Sequence, residues 1–225
     1  MQFTLNASFT NDQLNWIYAA GSNVIIAKPS ADGSNPNVAW LVFKPLQANT
    51  ATWQEEYGIY CSTQQIQNGA VLTQLSSVPV PAVENKLYTL QQSGVIAGPS
   101  NGGTQDSFSL LNQYGNVPMM TVGLYQDATV NGTNIMNSAV SAAPVLLQST
   151  AVMTPYTTVY IWLQSNIISN TVVTTVTSPM TELKFGGGTD KISVAYDSQS
   201  GTFIPSQTQD GKGSIKIKTV EALLY

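Results

Sequence analysis

The sequence predicts an all-β protein, an antiparallel β-sandwich with long polar loops. Three observations predict this fold class. Short runs of aromatic and β-branched residues recur along the chain, Gly, Pro and Asn separate them, and good helix formers are scarce. Only 9% of the 225 residues are charged, against about 25% in an average soluble domain. We therefore expect strands joined by tight turns and by neutral polar loops.

The strand signal recurs along the whole chain, mostly at intervals of about 10–20 residues. Asn68-Gly69 and Asn131-Gly132 favour tight turns, because both residue types accept positive φ. Helical patterns are weak, and the only candidates are Asn134–Ala142 and a short turn near Phe9–Leu14. In chain order, the predicted strands are Leu14–Ala20, Asn23–Ala27, Val38–Lys44, Tyr57–Ser62, Ala70–Gln74, Leu87–Gln91, Pro118–Tyr125, Val145–Met153, Thr157–Gln164, Thr171–Thr177, Glu182–Phe185, Lys191–Tyr196 and Ser214–Val220.

The length of the chain predicts its domain organisation. A chain of 225 residues can bury one large core, so we expect a single all-β domain spanning residues 1–225. The Gly-rich stretch Gly98–Gly103 is the best candidate for a weak subdivision. Strands of a sandwich bury alternate residues. The residues expected in the core are Trp40, Leu41, Phe43, Ile59, Leu124, Ile161, Leu163 and Val194.

The composition excludes several classes of chemistry. The sequence has no histidine and no arginine, since all 8 basic residues are lysines. Ser-His-Asp and Cys-His catalysis therefore cannot occur, and neither can zinc binding of the usual His/Cys type. The net charge of −4 repels phosphate backbones, so nucleic acid is not an expected partner. We predict no cofactor, no metal site and no enzymatic activity.

The aromatic residues are the strongest indication of a binding function. Sugars stack on aromatic faces and hydrogen-bond to neutral polar groups, and Trp and Tyr also favour lipid headgroup regions. Most aromatic residues in strands belong to the core, which is the alternative for each of them. We expect Trp53, Glu55, Tyr57 and Tyr156 to reach the surface and bind a ligand. The first hypothesis is therefore a non-enzymatic, lectin-like or toxin-like protein that binds a glycan or a membrane surface.

The second hypothesis is a structural protein that assembles into ordered oligomers or inclusions. Low charge favours contacts between copies, since charged side chains are what normally block such contacts. Cys61 is the only cysteine, so it is either a buried small residue or a free thiol able to form an intermolecular disulfide. The sequence therefore also offers a homo-oligomer as an alternative.

The third hypothesis is a glycoside hydrolase, since such an enzyme needs only two carboxylates about 5–9.5 Å apart. Glu55 and Glu56 form the densest acidic pair in the sequence. Adjacent strand residues point to opposite faces, so these two carboxylates cannot simply act together. One of the two, Glu55 or Glu56, would need a distant partner such as Asp127.

Two further features bear on location. Asn170–Ser178 carries no charge and is rich in Thr and Val. Ser/Thr-rich strands occur in pore-forming toxins, whereas an ordinary sandwich strand with a Thr-rich solvent face is the alternative.

The N-terminus has no basic region followed by an apolar run, so no classical signal peptide is visible. We expect a protein that is secreted or released by another route, or an intracellular inclusion.

Overall fold

The regular elements of the protein are nearly all β-strands. The computed structural model describes residues 1–30, 33 and 35–206, together with the backbone of residues 214–218. Within these residues there is one helix, α1 (Asn11–Ala19). The strands are β1 (Gln2–Ser8), β2 (Ser22–Ala27), β3 (Leu41–Phe43), β4 (Ala48–Gln54), β5 (Gly58–Ser62), β6 (Ser76–Val78), β7 (Leu87–Leu90), β8 (Ile96–Ser100), β9 (Phe108–Asn112), β10 (Met119–Val130), β11 (Thr133–Ala139), β12 (Ala143–Leu146), β13 (Thr150–Met153), β14 (Thr158–Ser165), β15 (Met180–Lys184), β16 (Lys191–Asp197), β17 (Thr202–Pro205) and β18 (Ser214–Lys218).

The strands form three sheets. The largest has nine strands in the order β17-β16-β1-β4-β10-β5-β6, with β11 and β12 also paired to β10. A four-stranded sheet has the order β13-β9-β7-β8, and a five-stranded sheet the order β18-β15-β14-β2-β3. Most pairs are antiparallel, but β1 pairs with β16 and β7 with β9 in parallel. The expectation of a purely antiparallel arrangement is therefore wrong at these two pairs.

The segment from Asn11 to Ala19 is helical, and the strand predicted over Leu14–Ala20 is wrong. Thr10 caps the helix: its side chain accepts from the Gln13 backbone, and the Gln13 side chain accepts from the Thr10 backbone. Such a reciprocal cap favours a helix start over a strand. Leu14 and Ile17, three residues apart, are the buried residues of the helix. The short helical turn expected near Phe9–Leu14 covers only its beginning.

The predicted helix over Asn134–Ala142 is also wrong, because Thr133–Ala139 forms β11. Asn131 and Gly132 both adopt positive φ and form the tight turn that joins β10 to β11. The two strands then pair antiparallel from Val130 opposite Thr133. Pairing with a neighbouring strand thus overrides a weak local preference for helix.

The Thr/Val-rich segment Asn170–Ser178 does not form the predicted strand. Thr171 and Val172 make only isolated bridges, to Val71 and to Val38 respectively. Val172 and Val173 are buried in two different core clusters. The first half of the segment is therefore packed into the protein core, whereas Thr174, Thr175 and Thr177 are exposed. The regular strand predicted over Thr171–Thr177 is wrong, and contact with lipid stays an untested alternative.

Several strands of the structure were not predicted from the sequence. β1 and β4 alternate buried and more exposed residues, and β1 pairs with β4 and with β16, both far away in the chain. Part of the predicted flexible stretch Gly98–Gly103 belongs to the edge strand β8. The strands that the sequence did not predict are β1, β4, β6, β8, β9, β11 and β17.

A single large core cluster contains residues from all three sheets, such as Phe3, Val24 and Tyr88. Of the eight residues predicted to lie in the core, seven are buried, and Phe43 is partly buried against the cluster. The seven buried residues are Trp40, Leu41, Ile59, Leu124, Ile161, Leu163 and Val194. The alternation of apolar residues therefore predicted core membership correctly even where strand boundaries were displaced.

Candidate functional site

A buried lysine and a carboxylate form a polar cluster inside the aromatic core. Lys28 follows β2, and its side chain is only 2% exposed. Its ammonium nitrogen Nζ lies 2.7 Å from Oε1 of Glu55 and 2.6 Å from the hydroxyl of Tyr57. Glu55 follows β4, and Tyr57 precedes β5, so the strand ends hold all three groups in place. We call Lys28, Trp53, Glu55, Tyr57 and Gln126 the Lys28 cluster.

Both carboxylate oxygens of Glu55 accept hydrogen bonds within this cluster. Oε1 accepts from Lys28 and, at 2.9 Å, from the indole nitrogen Nε1 of Trp53. Oε2 accepts from the Tyr57 hydroxyl at 2.5 Å. The Glu55 side chain is 15% exposed, so the acid reaches the edge of the core while the lysine does not.

Three aromatic rings surround the Lys28 ammonium group. Nζ lies 4.8 Å from the ring centroid of Tyr57, 5.5 Å from that of Trp40 and 6.0 Å from that of Trp53. Aromatic faces attract a cation at these distances, but they replace water only in part. The ion pair therefore lies in a shell with few competing polar groups.

Burial changes the acidity of the groups in the cluster. Loss of hydration lowers the pKa of Lys28 from 10.5 to about 8, although the Glu55 carboxylate and its hydrogen bond act in the opposite direction. Burial also raises the pKa of Tyr57 well above 10, and the negative charge of Glu55 adds to this effect. A neutral amine is therefore much more accessible on Lys28 than on an exposed lysine.

Gln126 completes the cluster. Its side-chain amide acts to lower the pKa of the Tyr57 hydroxyl, against the larger effects of burial and of Glu55. The side-chain Nε2 of Gln126 donates to the backbone carbonyl of Gln54. The backbone carbonyl of Gln126 accepts a hydrogen bond of 3.0 Å from Nε1 of Trp40. Among the residues that the structure describes, Gln126 Oε1 is the one buried side-chain polar atom without a hydrogen-bond partner.

The structure brings together three of the four residues predicted to bind a ligand. Trp53, Glu55 and Tyr57 form one hydrogen-bonded group, and the Tyr156 carbonyl lies 3.4 Å from the Tyr57 hydroxyl. The expectation that Trp53 and Tyr57 reach the surface is wrong, because both are buried. Tyr156 is half-buried, and its ring packs against Gly33, where a side chain would collide with it. A ligand-binding role for the four residues stays a prediction.

The carboxylates of the glycosidase hypothesis have other partners. Glu55 belongs to the Lys28 cluster and accepts a hydrogen bond from Lys28, whereas the neighbouring Glu56 is exposed. Oδ1 of Asp127 accepts a hydrogen bond of 2.7 Å from the backbone nitrogen of Asn137, which has positive φ. Asp127 thus stabilises a backbone irregularity in β11, and this geometry gives no support to a Glu55–Asp127 catalytic pair.

Cys61 lies in the middle of β5 and is fully buried. Its thiol donates weakly to the carbonyl of Ser76 at 3.5 Å. Burial raises the pKa of the thiol from 9.0 to about 11, so little reactive thiolate forms near neutral pH. Of the two alternatives that the sequence left open, the structure favours the buried small residue over a thiol that links two chains.

A second candidate site is a surface groove beside α1, with a volume of about 350 Å³. Trp16 forms one side and is 64% exposed, which is unusual for the largest aromatic side chain. Tyr196 of β16 forms another part of the wall. The groove is lined by Gln13, Trp16, Ile17, Ala20, Ser22, Leu163, Gln164, Ser165, Thr177, Ser178, Tyr196 and Ser198.

The lining of this groove, the Trp16 groove, carries no charged side chain. Hydrogen bonds hold two of its amides in place. Gln13 donates from Nε2 to the Tyr196 carbonyl at 2.9 Å, and Gln164 accepts at Oε1 from Nε1 of Trp162 at 2.8 Å. The groove thus combines an exposed indole with two fixed amides and with the hydroxyls of five Ser and Thr side chains and of Tyr196.

Sequence reasoning missed this groove because it assigned a strand to the region around Trp16. In a strand, Trp16 and Tyr18 would lie on one face and Ile17 on the other. The capping pair Thr10 and Gln13 is the signal that would have placed a helix here. With helical spacing, Leu14 and Ile17 face the core and Trp16 faces solvent.

Two other kinds of site, a metal centre and a membrane-spanning helix, are not seen among the described residues. Groups of three or more His, Cys, Asp or Glu side chains arranged to hold a metal ion do not occur among them. The one helix in the described part of the chain is too short and too polar to cross a bilayer.

Comparison of the chain with family models, with curated proteins and with solved structures found no match. Function is therefore argued from the chemistry of the two sites alone.

Proposed function

We propose that this chain is a non-enzymatic, lectin-like β-protein that binds a neutral glycan in the Trp16 groove. The exposed face of Trp16 carries the proposal: a large indole held at the rim of a groove without charge. The C–H faces of sugars stack on such rings, while their hydroxyls exchange hydrogen bonds with amides and hydroxyls. A glycan would supply both kinds of contact along the length of the groove.

The absence of charge in the lining favours a neutral ligand over an ionic one. A charged ligand group would lose hydration in the groove without gaining an ionic partner there. A neutral sugar needs only hydrogen bonds, and Ser22, Ser165, Thr177, Ser178 and Ser198 supply hydroxyls that donate and accept. The rigid amide of Gln13 adds directional contacts at low cost in conformational entropy.

We also propose that the three sheets pack as a sandwich with long polar loops. The support is the largest core cluster, in which side chains of all three sheets meet. In this arrangement the nine-stranded sheet forms one layer and the two smaller sheets contribute to the other. The Trp16 groove then lies where α1 meets β14 and β16, which belong to different sheets.

The test is a titration of the protein with a panel of soluble neutral oligosaccharides, followed by tryptophan fluorescence and calorimetry. Trp40, Trp53 and Trp162 are buried, so Trp16 is the indole most open to an aqueous quencher. A ligand in the groove is expected to shift the emission to shorter wavelength and to protect Trp16 from acrylamide. Trp16→Ala should weaken binding at least tenfold, which is about 1.4 kcal/mol.

Tyr18 offers a matched control on the same helix. It is also exposed, but it does not line the groove, and its hydroxyl donates to the Pro45 carbonyl at 2.5 Å. Tyr18→Ala should leave glycan affinity unchanged. Equal binding by Trp16→Ala and the unchanged chain, or no binding to any glycan by the folded protein, would contradict the proposal. Binding to neutral lipid vesicles alone would replace the glycan with a membrane surface.

A second candidate function is self-assembly, and the edge strand β13 favours it. β13 lies at one edge of the four-stranded sheet, has no charged residue and exposes Thr150 and Val152. Natural edge strands usually carry lysine or proline against pairing with other chains. Light scattering over a range of concentrations tests this function. Growth in mass that Val152→Lys abolishes would support it, and a constant monomer mass would contradict it.

A further inference from the structure

We propose that Lys28 and Glu55 condense into an intramolecular amide bond, with Tyr57 passing a proton between them. This inference is independent of the glycan-binding function. It concerns a covalent modification of the Lys28 cluster, whose three reacting groups lie within hydrogen-bond distance of one another. Such contacts place an amine and a carboxyl group in position for reaction without any further partner.

The nucleophile and the electrophile are held together by the fold. Lys28 Nζ lies 2.7 Å from Oε1 of Glu55, so the carboxyl carbon Cδ is one bond beyond that contact. The two residues follow β2 and β4, which belong to the five-stranded and the nine-stranded sheet. Their backbones are therefore fixed, and the lysine side chain is enclosed by three aromatic rings.

Tyr57 bridges the amine to the oxygen that must leave. Its hydroxyl lies 2.6 Å from Lys28 Nζ and 2.5 Å from Oε2 of Glu55. A hydroxyl in this position can accept a proton from the nitrogen and donate its own proton to Oε2. Oε1 is held by Trp53 Nε1 at 2.9 Å, and this donor stabilises the negative charge that develops there during attack.

The reaction balances without an oxidant, a reductant or a cofactor. The ammonium group of Lys28 first gives one proton to Glu55, which leaves a neutral amine and a neutral carboxylic acid. The amine attacks Cδ, the Nζ–Cδ bond forms, and a second proton passes from Nζ through Tyr57 to Oε2. The Cδ–Oε2 bond then breaks, and one water molecule leaves. Oε1 remains as the amide oxygen, bound to Trp53.

Burial favours the amide over the ion pair. Two opposite charges in an apolar shell keep only part of the stabilisation that water would give them, and condensation removes both charges. The lowered pKa of Lys28 makes the neutral, nucleophilic amine accessible near neutral pH. Once Oε2 has left, Tyr57 needs a new acceptor, and the unpartnered Oε1 of Gln126 belongs to the amide beside it.

The bond would tie two sheets together. It would close the chain between Lys28 and Glu55 and restrict the unfolded state in the way a disulfide does. Cys61, the one cysteine of the sequence, cannot supply an intrachain disulfide. The amide would therefore give a covalent cross-link to a chain that cannot form an intrachain disulfide.

The intact mass of the purified full-length protein under denaturing conditions tests the proposal directly. We expect a mass lower than that of the sequence by one water molecule. Proteolysis on the N-terminal side of aspartate separates residues 12–31, which contain Lys28, from residues 32–105, which contain Glu55. With the amide bond these two peptides stay joined, and their fragmentation spectrum places the link at the two residues. The full sequence mass and two separate peptides would overturn the proposal.

Matched variants test the route. Lys28→Arg removes the nucleophile, so the mass should match its own sequence with no loss of water. Tyr57→Phe keeps the ring but removes the proton relay, and most molecules should then keep the full mass. Tyr60→Phe is the control, since Tyr60 is equally buried but donates to the Ser141 carbonyl. Complete loss of water in Tyr57→Phe at the rate of the unchanged chain would exclude the relay.

Discussion

Two tryptophan-containing regions of this protein have opposite environments. In the Lys28 cluster, Trp53 is 3% exposed and its indole nitrogen is bound to a carboxylate that pairs with a buried lysine. In the Trp16 groove, the indole is 64% exposed and the surrounding polar groups are uncharged. One region therefore holds charge away from water, and the other presents neutral groups to water.

The difference shows what each region can do. Charges enclosed by aromatic rings are costly to leave unpaired, so the Lys28 cluster favours stabilisation or reaction of its own groups. An exposed ring beside hydroxyls and amides costs little when it is empty and gains contact area when a ligand covers it. The aromatic residues predicted as a ligand site thus belong mainly to the first region, and Trp16 carries the features expected of the second.

The largest contrast should come from removing the two indoles. Trp53→Ala removes a buried ring and a hydrogen bond to Glu55, and should lower the free energy of unfolding by about 3–5 kcal/mol. Trp16→Ala should lower it by no more than about 0.5 kcal/mol, because the ring is largely in water. Urea denaturation measures both. Similar losses in the two variants would contradict the assignment of one indole to the core and the other to the surface.

The adjacent acids give the next contrast. Glu55→Ala leaves the Lys28 ammonium buried without its partner and should cost about 3 kcal/mol of unfolding free energy. Glu56 is exposed, so Glu56→Ala should change stability by less than about 0.5 kcal/mol. The same denaturation experiment compares them. If Glu55→Ala were as stable as Glu56→Ala, Glu55 would not be the stabilising partner of the buried Lys28.

The pH dependence of stability separates an amide from an ion pair. A free Lys28 amine has its pKa lowered from 10.5 to about 8 in the folded chain. Between these values the unfolded chain binds more protons, so stability would rise with pH by up to about 1.4 kcal/mol per pH unit. An amide does not titrate. We therefore expect the stability difference between the unchanged chain and Lys28→Met to be flat from pH 8 to 10.5, and a rise would show a free amine.

The smallest effect should be that of reductant. Cys61 is buried and its pKa is raised to about 11, so a thiol reagent should label it only after the chain unfolds. Native mass measured by light scattering should be the same with and without reductant. Rapid labelling of the folded protein, or an oligomer that reductant dissolves, would show that the thiol is reachable.

The sequence predicted the all-β class and most of the core because apolar residues recur wherever strands cross the interior. Trp40, Ile161 and Val194 were placed in the core on this pattern alone, and all three are buried. Strand signals failed where local chemistry opposed them, as at the helix that Thr10 and Gln13 cap. β1 and β4 were not predicted either, although their buried and exposed residues alternate, and they pair across a large separation in the chain.

The candidate sites were less predictable than the core. Trp53, Glu55 and Tyr57 are close in sequence, and their proximity in space followed from that spacing. Lys28 joins them from 27 residues away, and no local pattern pointed to it. The groove required a correct helix before Trp16 could be placed on an outward face.

By itself, the sequence determined the chemistry that is available: no histidine, no arginine, one cysteine, little charge and many neutral polar groups. These properties follow from composition and hold in any conformation. Only the tertiary structure decided which few charges lie in the core and which aromatic rings face water. The reason is physical, since burial and pairing arise where strands distant in the chain meet, as β2 and β4 do at Lys28 and Glu55.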